Sequence, residues 1–134
     1  MKIARLVLLL AVGSLSACSS SSNPAMSGTW LFALTPVGTS SPVLEFTTNL
    51  TQIGSQITGQ TTLTGNAANC GSAASMSGTI MGNSLTLQLN QIDSMINFAG
   101  TVNPEFTAAS GTYTGAAGSC LLDSGFGSWS AVLQ

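Results

Sequence analysis

Very few residues in this 134-residue chain are able to do acid–base, nucleophilic or metal chemistry. The charged side chains are four carboxylates and two basic residues, and the chain has no histidine. Both basic residues, Lys2 and Arg5, lie at the N-terminus. A Ser-His-Asp triad, a Cys-His pair, an arginine finger and a histidine-bound metal therefore each lack a required residue. Nucleic-acid binding is disfavoured as well, because phosphate recognition depends on lysine and arginine. We expect no enzyme and no cofactor.

Cys18, the first of three cysteines, ends a segment typical of an export signal. Two basic residues precede an apolar run over residues 6–12, which is too short to span a bilayer. The motif Leu15-Ser16-Ala17-Cys18 then resembles the lipobox of bacterial lipoproteins. That resemblance implies removal of residues 1–17, acylation of the Cys18 thiol and, usually, acylation of the new N-terminus. The alternative is an ordinary secretory signal in which Cys18 has no role.

The resemblance also implies a location and a partner, the lipid bilayer. Several acyl chains together anchor a protein stably. In the lipoprotein family an aspartate directly after the cysteine often marks retention in the inner membrane, and Ser19 departs from that pattern. We therefore expect an outer-membrane lipoprotein that faces the periplasm or the cell surface. Residues 18–26 are polar, small and without periodicity, so we predict a flexible linker there and a folded domain over 27–134.

Cys70 and Cys120 remain after lipidation of Cys18. Two cysteines in an oxidising envelope are expected to form one disulfide. The closed loop of about 50 residues would stabilise the fold by roughly 4 kcal/mol in the chain-entropy model. A metal pair or a redox pair is the alternative, but the two cysteines do not form a CxxC motif and no histidine is present to complete a zinc shell.

The domain is predicted to be all-β, because polar and apolar residues alternate along it. In Ser84-Leu85-Thr86-Leu87-Gln88-Leu89-Asn90 every second residue is leucine, which is the period of a strand with one buried face. Serine, threonine and glycine are abundant and Glu-Lys pairs are absent, which disfavours helices. Eight strands are expected at 27–36, 43–53, 56–64, 73–81, 84–91, 95–103, 107–115 and 126–133.

The lengths of the connections predict the topology. Three tight turns, near residues 54, 82 and 104, alternate with longer connections. In an up-and-down meander the three tight turns lie at the same end of the strands as the start of the first strand. We call this the tether end. The longer connections, with both Cys70 and Cys120, share the other, distal end. Eight such strands normally close into an antiparallel barrel, which removes exposed edges. A two-sheet β-sandwich is the alternative.

The start of the first strand adds a resemblance. Gly28-Thr29-Trp30 is similar to the Gly-X-Trp pattern of calycins, the lipocalin and avidin group, in which the tryptophan closes one end of an eight-stranded barrel. The chain lacks the basic residue that often packs on this tryptophan in lipocalins. The resemblance implies a calycin-like layout.

The carboxylates are divided between the two ends. Glu45, Asp93 and Asp123 are expected at the distal end and Glu105 at the tether end. Three acids around one mouth could bind Ca²⁺ or a basic partner, and two could act as acid and base in glycoside hydrolysis. The alternative is that they only solvate the loops. No EF-hand spacing is present.

Two functions remain for such a barrel. In the first, a hollow barrel binds a small apolar molecule, with a cavity lined by Trp30, Leu44, Phe46, Leu87, Ile96 and Phe98. A filled barrel, in which the same residues are core, is the alternative. In the second, a non-catalytic envelope protein binds a protein or a glycan through its acidic distal loops or through its neutral outer wall, where threonine, serine, asparagine and glutamine replace the usual lysine and glutamate.

Overall fold

The computed structural model describes residues 25–64, 73–91, 94–115 and 125–134. Within them the chain forms eight strands. They are β1 (Gly28–Pro36), β2 (Leu44–Ile53), β3 (Gln56–Leu63), β4 (Ala73–Met81), β5 (Ser84–Gln91), β6 (Ser94–Val102), β7 (Ala108–Gly115) and β8 (Phe126–Leu133). The predicted strands are confirmed, and their ends differ from the expected ones by one residue at most.

The sheet closes on itself. Each strand pairs antiparallel with its neighbours in sequence, and β1 also pairs with β8 from Trp30–Leu133 to Pro36–Gly127. The up-and-down barrel is therefore confirmed. The two-sheet sandwich is wrong, because two separate sheets would leave neighbouring strands unpaired at two places, whereas every neighbouring pair here is hydrogen-bonded. No helix within the described ranges is long and apolar enough to cross a membrane.

Three turns lie at the tether end, and their residues determine their conformations. The β2–β3 and β4–β5 turns begin with Gly54 and Gly82, whose φ angles are 61° and 60°. A glycine with positive φ at the first central position is typical of the type II′ turn, which matches the twist of a hairpin. The β6–β7 turn is longer and is held by Asn103, whose Oδ1 accepts hydrogen bonds from the backbone N–H groups of Thr107 (2.8 Å) and Ala108 (3.0 Å).

The chain enters the barrel at this end. Met26, the last residue of the predicted linker, is fully buried in the core. Its backbone N–H donates to Oε1 of Gln52 at 2.9 Å, and the backbone N–H of Gln52 donates to Oγ of Ser27 at 3.0 Å. These two hydrogen bonds join the segment before β1 to the end of β2.

Glycines on the inward face allow neighbouring strands to approach closely beside the large aromatic residues. Gly100 of β6 pairs with Gly111 of β7, and Gly111 pairs with Trp129 of β8. A Cβ atom at Gly111 would lie 2.0 Å from the backbone oxygen of Ala99, and one at Gly100 would lie 2.1 Å from that of Ser110. These contacts with backbone atoms require glycine at both positions.

Candidate functional site

The interior contains every residue that the sequence predicted as a cavity lining. All six face inward and are buried in one apolar cluster: Trp30, Leu44, Phe46, Leu87, Ile96 and Phe98. The alternation of polar and apolar residues is what identified them, since inward and outward positions follow a period of two.

Aromatic rings occupy the middle of this interior. Phe32 stacks on Phe46 with ring centroids 5.2 Å apart and on Trp129 at 5.7 Å. Phe98 meets Phe32 at 6.0 Å, Phe46 at 6.5 Å and Trp129 at 5.7 Å, each edge to face. These distances are within the range of aromatic pairs in direct contact. The rings thus pack on one another, as the side chains of a protein core do.

A small polar group lies inside the barrel between β2 and β3. The hydroxyls of Thr48 and Thr61, which are buried on paired strands, share a hydrogen bond of 2.8 Å. Trp30 pairs with Thr48 across β1 and β2, and its indole Nε1 has no hydrogen-bond partner among the described residues. Sequence alternation indicated that Thr48 points inward, but it gave no signal for its bond with Thr61.

Only two of the expected acidic residues lie in the described part of the chain. Glu45 is exposed on the outer face of β2 near the distal end, and Glu105 is exposed in the β6–β7 turn at the tether end. Asp93 and Asp123 lie outside the described residues, as do the three cysteines, Cys18, Cys70 and Cys120. Among the described residues, no group of three potential metal ligands comes together.

The outer wall carries a groove across β4 to β7, with a volume of about 470 Å³. Most of its outward side chains are hydroxyls and amides, and its lining also includes Ala99 and the inward residues Leu87, Phe98 and Tyr113. Two polar pairs meet across the strands. Thr79 and Thr86 share a hydrogen bond of 2.9 Å, and Nε2 of Gln88 donates to Oδ1 of Asn97 at 2.9 Å. Cross-strand pairs of this kind hold their side chains in fixed orientations. The alternation in the sequence predicted that these residues face outward, but it did not predict that they line a groove.

A second depression, of about 590 Å³, lies on the wall at the distal end. Val37 and Phe126 border it, and both are exposed. The backbone N–H of Val37, the residue after β1, donates to the carbonyl oxygen of Phe126 at the start of β8 at 3.3 Å, so the two residues lie side by side.

Charge is almost absent from these surfaces. Glu45 and Glu105 are the only charged side chains in the described ranges, and neither lines either depression. The groove on β4 to β7 is therefore a neutral surface that offers hydrogen bonds from hydroxyl and amide groups.

Comparisons with known proteins add no assignment. No protein-family model matches the sequence, and no curated protein matches it significantly.

Proposed function

We propose that the protein is a lipid-anchored bacterial envelope protein whose barrel binds an uncharged glycan on its outer wall, without catalysis. The observation that carries this proposal is the groove on β4 to β7, which lacks charge and presents two cross-strand pairs of hydroxyl and amide groups beside the rings of Phe98 and Tyr113. A sugar chain presents hydroxyl donors and acceptors, which such a surface can satisfy. A nucleic acid or another polyanion would need cations, and the folded domain contains none.

The N-terminal segment supports the anchor. Leu15-Ser16-Ala17-Cys18 follows a basic start and an apolar run, in the order that lipoprotein export uses. The lipidated Cys18 would hold the barrel at the outer membrane, facing the periplasm or the cell surface, where neutral glycans are available.

The calycin-like layout belongs to this proposal. Trp30 follows Gly28 at the start of β1 and is fully buried beside Leu133 of the last strand. A buried tryptophan at the start of the first strand is what the Gly-X-Trp resemblance to calycins implies, and this position supports the proposal. The resemblance concerns the layout alone, since no basic residue is available to pack on the indole ring.

The Cys70–Cys120 disulfide would close the distal mouth. Cys70 lies between β3 and β4, and Cys120 lies between β7 and β8. In the order of the barrel these two connections are four strands apart, on opposite sides of the mouth. Nine residues separate Leu63 from Ala73 and ten separate Gly115 from Phe126, which is long enough for the loops to meet. A bond between them would cross the opening.

The small-apolar-molecule hypothesis stays a prediction, and the packed aromatic rings favour the outer wall instead. Phe98, one of the proposed cavity-lining residues, contacts three of the other rings edge to face. A ligand in the centre of the barrel would have to displace these contacts.

The experiment is an NMR titration of the ¹⁵N-labelled, exported Cys18→Ser protein with chitotetraose and, separately, with maltotetraose. We expect saturable shifts of the β5 and β6 amides around Gln88 and Asn97. The Gln88→Ala, Asn97→Ala double variant should bind roughly tenfold more weakly, because two hydrogen bonds contribute about 0.5–1.5 kcal/mol each.

A matched control lies on the opposite wall. Oγ1 of Thr29 donates to Oδ1 of Asn49 at 2.6 Å, which is another exposed cross-strand pair. The Thr29→Ala, Asn49→Ala variant should bind the sugars as the unmodified protein does. Sugars that leave the spectrum unchanged, or that bind both variants equally, would contradict the proposed site. Stoichiometric binding of N-phenyl-1-naphthylamine, with shifts of inward residues, would favour the hollow barrel.

A further inference from the structure

Two hairpin tips at the tether end present exposed apolar side chains. Ile53, at the end of β2, is 77% exposed, and Met81, at the end of β4, is 78% exposed. Each residue directly precedes the glycine of a type II′ turn and points outward. The two hairpins are neighbours in the barrel, since β3 pairs with β4. Exposed large apolar residues at adjacent tips form a candidate contact surface.

The chain before the barrel leaves beside the first of these tips. The hydrogen bonds of Met26 and Ser27 with Gln52 hold the start of the domain against the residue that precedes Ile53. Cys18 is seven residues before Ala25. A fully extended segment of that length spans at most about 25 Å. A lipid on Cys18 would therefore keep the tether end close to the bilayer, which raises the effective concentration of the tips at its surface.

The third turn at this end differs in chemistry. The β6–β7 turn carries the exposed carboxylate of Glu105, the only charged side chain in the described tether-end turns. In the order of the barrel it lies four strands from the β2–β3 turn, on the opposite side. A carboxylate favours water over the membrane interface, whereas isoleucine and methionine side chains favour the interface. The β2–β3 and β4–β5 tips are thus suited to lipid, whereas the Glu105 side chain of the β6–β7 turn is suited to water.

We propose that the β2–β3 and β4–β5 tips insert Ile53 and Met81 into the bilayer interface and orient the barrel on the membrane. This inference rests on the proposed lipid anchor at Cys18. The barrel leans onto these two hairpins, and the β6–β7 turn with Glu105 stays in water. The absence of cations in the domain means that the contact depends on apolar burial and not on attraction to anionic lipids.

The test uses the exposed methionines at the two ends as probes. Met95 begins the distal part of β6 and is 44% exposed, while Met26 and Met76 are buried. Methionine oxidation follows exposure. The lipidated protein is reconstituted in phosphatidylcholine vesicles and treated with chloramine-T, and the oxidation of each peptide is followed by mass spectrometry. The Cys18→Ser protein with the same vesicles is the reference.

We expect the ratio of Met81 oxidation to Met95 oxidation to fall at least about fivefold on lipid anchoring, because Met81 alone leaves water. The Ile53→Asn variant should restore much of the Met81 oxidation by removing the neighbouring apolar contact. The matched Val37→Asn variant, at an exposed distal valine, should leave the ratio as in the unmodified protein.

Two outcomes overturn the inference and are told apart by the mass of the N-terminal peptide. An acylated peptide with an unchanged Met81 to Met95 ratio would overturn the membrane docking alone and leave the lipid anchor in place. A peptide without acyl groups would overturn the anchor and, with it, the docking that rests on it.

Discussion

Replacing Phe98 with alanine removes the ring that contacts the most other rings in the barrel interior. Phe98 is 2% exposed and meets Phe32, Phe46, Tyr113 and Trp129 with centroids 5.7 to 6.5 Å apart. The substitution loses the transfer free energy of the ring and leaves a cavity, which together cost about 3–5 kcal/mol in protein cores. The neighbouring backbones are held by hydrogen bonds on both sides of every strand, so they cannot move in to fill the space.

We therefore expect a loss near the upper part of that range, about 4 kcal/mol of unfolding free energy. For a domain of this size the loss corresponds to a fall in Tm of roughly 15 °C. The assay is urea unfolding followed by tryptophan fluorescence, since Trp30 and Trp129 are both buried. The oxidation state of the cysteines is kept the same in all samples.

Phe126→Ala is the matched control, because it makes the same chemical change at a residue that is 57% exposed. Its cost should stay below about 1 kcal/mol. In addition, benzene should raise the Tm of Phe98→Ala, because an apolar cavity of that size stays dry and accepts a small aromatic molecule. It should leave the unmodified protein unaffected. Equal, small losses for both variants would refute the reasoning that the rings form a packed core.

Two further predictions concern the backbone and the buried polar pair. Gly111→Ala should lower the unfolding free energy by more than about 3 kcal/mol, because the new Cβ would lie 2.0 Å from a backbone oxygen. Gly54→Ala has open space around it and should lower it by only about 1 kcal/mol, because of the positive φ at that position. Equal urea midpoints for the two variants would contradict this. Thr48→Val and Thr61→Val should each cost about 1–3 kcal/mol by leaving one buried hydroxyl unpaired, while the double variant should lose less than the two single losses combined. A double-mutant cycle measures the coupling, and strict additivity would show that the hydrogen bond contributes nothing.

The strands and their order were predictable because one physical signal repeats along the chain. Where Leu85, Leu87 and Leu89 alternate with polar residues, a half-buried strand is the structure that separates the two sets. Gly54 and Gly82 marked tight turns because a type II′ hairpin needs a positive φ at its first central residue. Closure was predictable because an open meander of eight strands would leave two unpaired edges, one on β1 and one on β8.

The state of the interior was not predictable from the pattern. Alternation shows which side chains point inward, but the fit of Phe32, Phe46 and Phe98 depends on ring volumes and on the close approach of strands at Gly100 and Gly111. A period of two contains no information about volume.

The groove on β4 to β7 and the Thr48–Thr61 hydrogen bond could not be predicted from the sequence, for a related reason. Gln88 and Asn97 are nine residues apart in sequence, and their hydrogen bond depends on the β5–β6 register. A register of this kind sets which outward side chains meet, whereas the alternation sets only that they face outward.

Native mass spectrometry of the lipidated protein, released from its own envelope in detergent micelles, tests the central claim most directly. If the barrel interior is packed core and binding takes place on the outer wall, the mass should equal that of residues 18–134 with their acyl groups. It should lack the two hydrogens lost in one disulfide, and it should carry no apolar small molecule that leaves on denaturation. A bound sugar, recognised by its mass, is compatible with the site on the outer wall. An apolar molecule that is bound stoichiometrically and released only when the barrel unfolds would contradict the account, because it would require a cavity where the aromatic rings now meet.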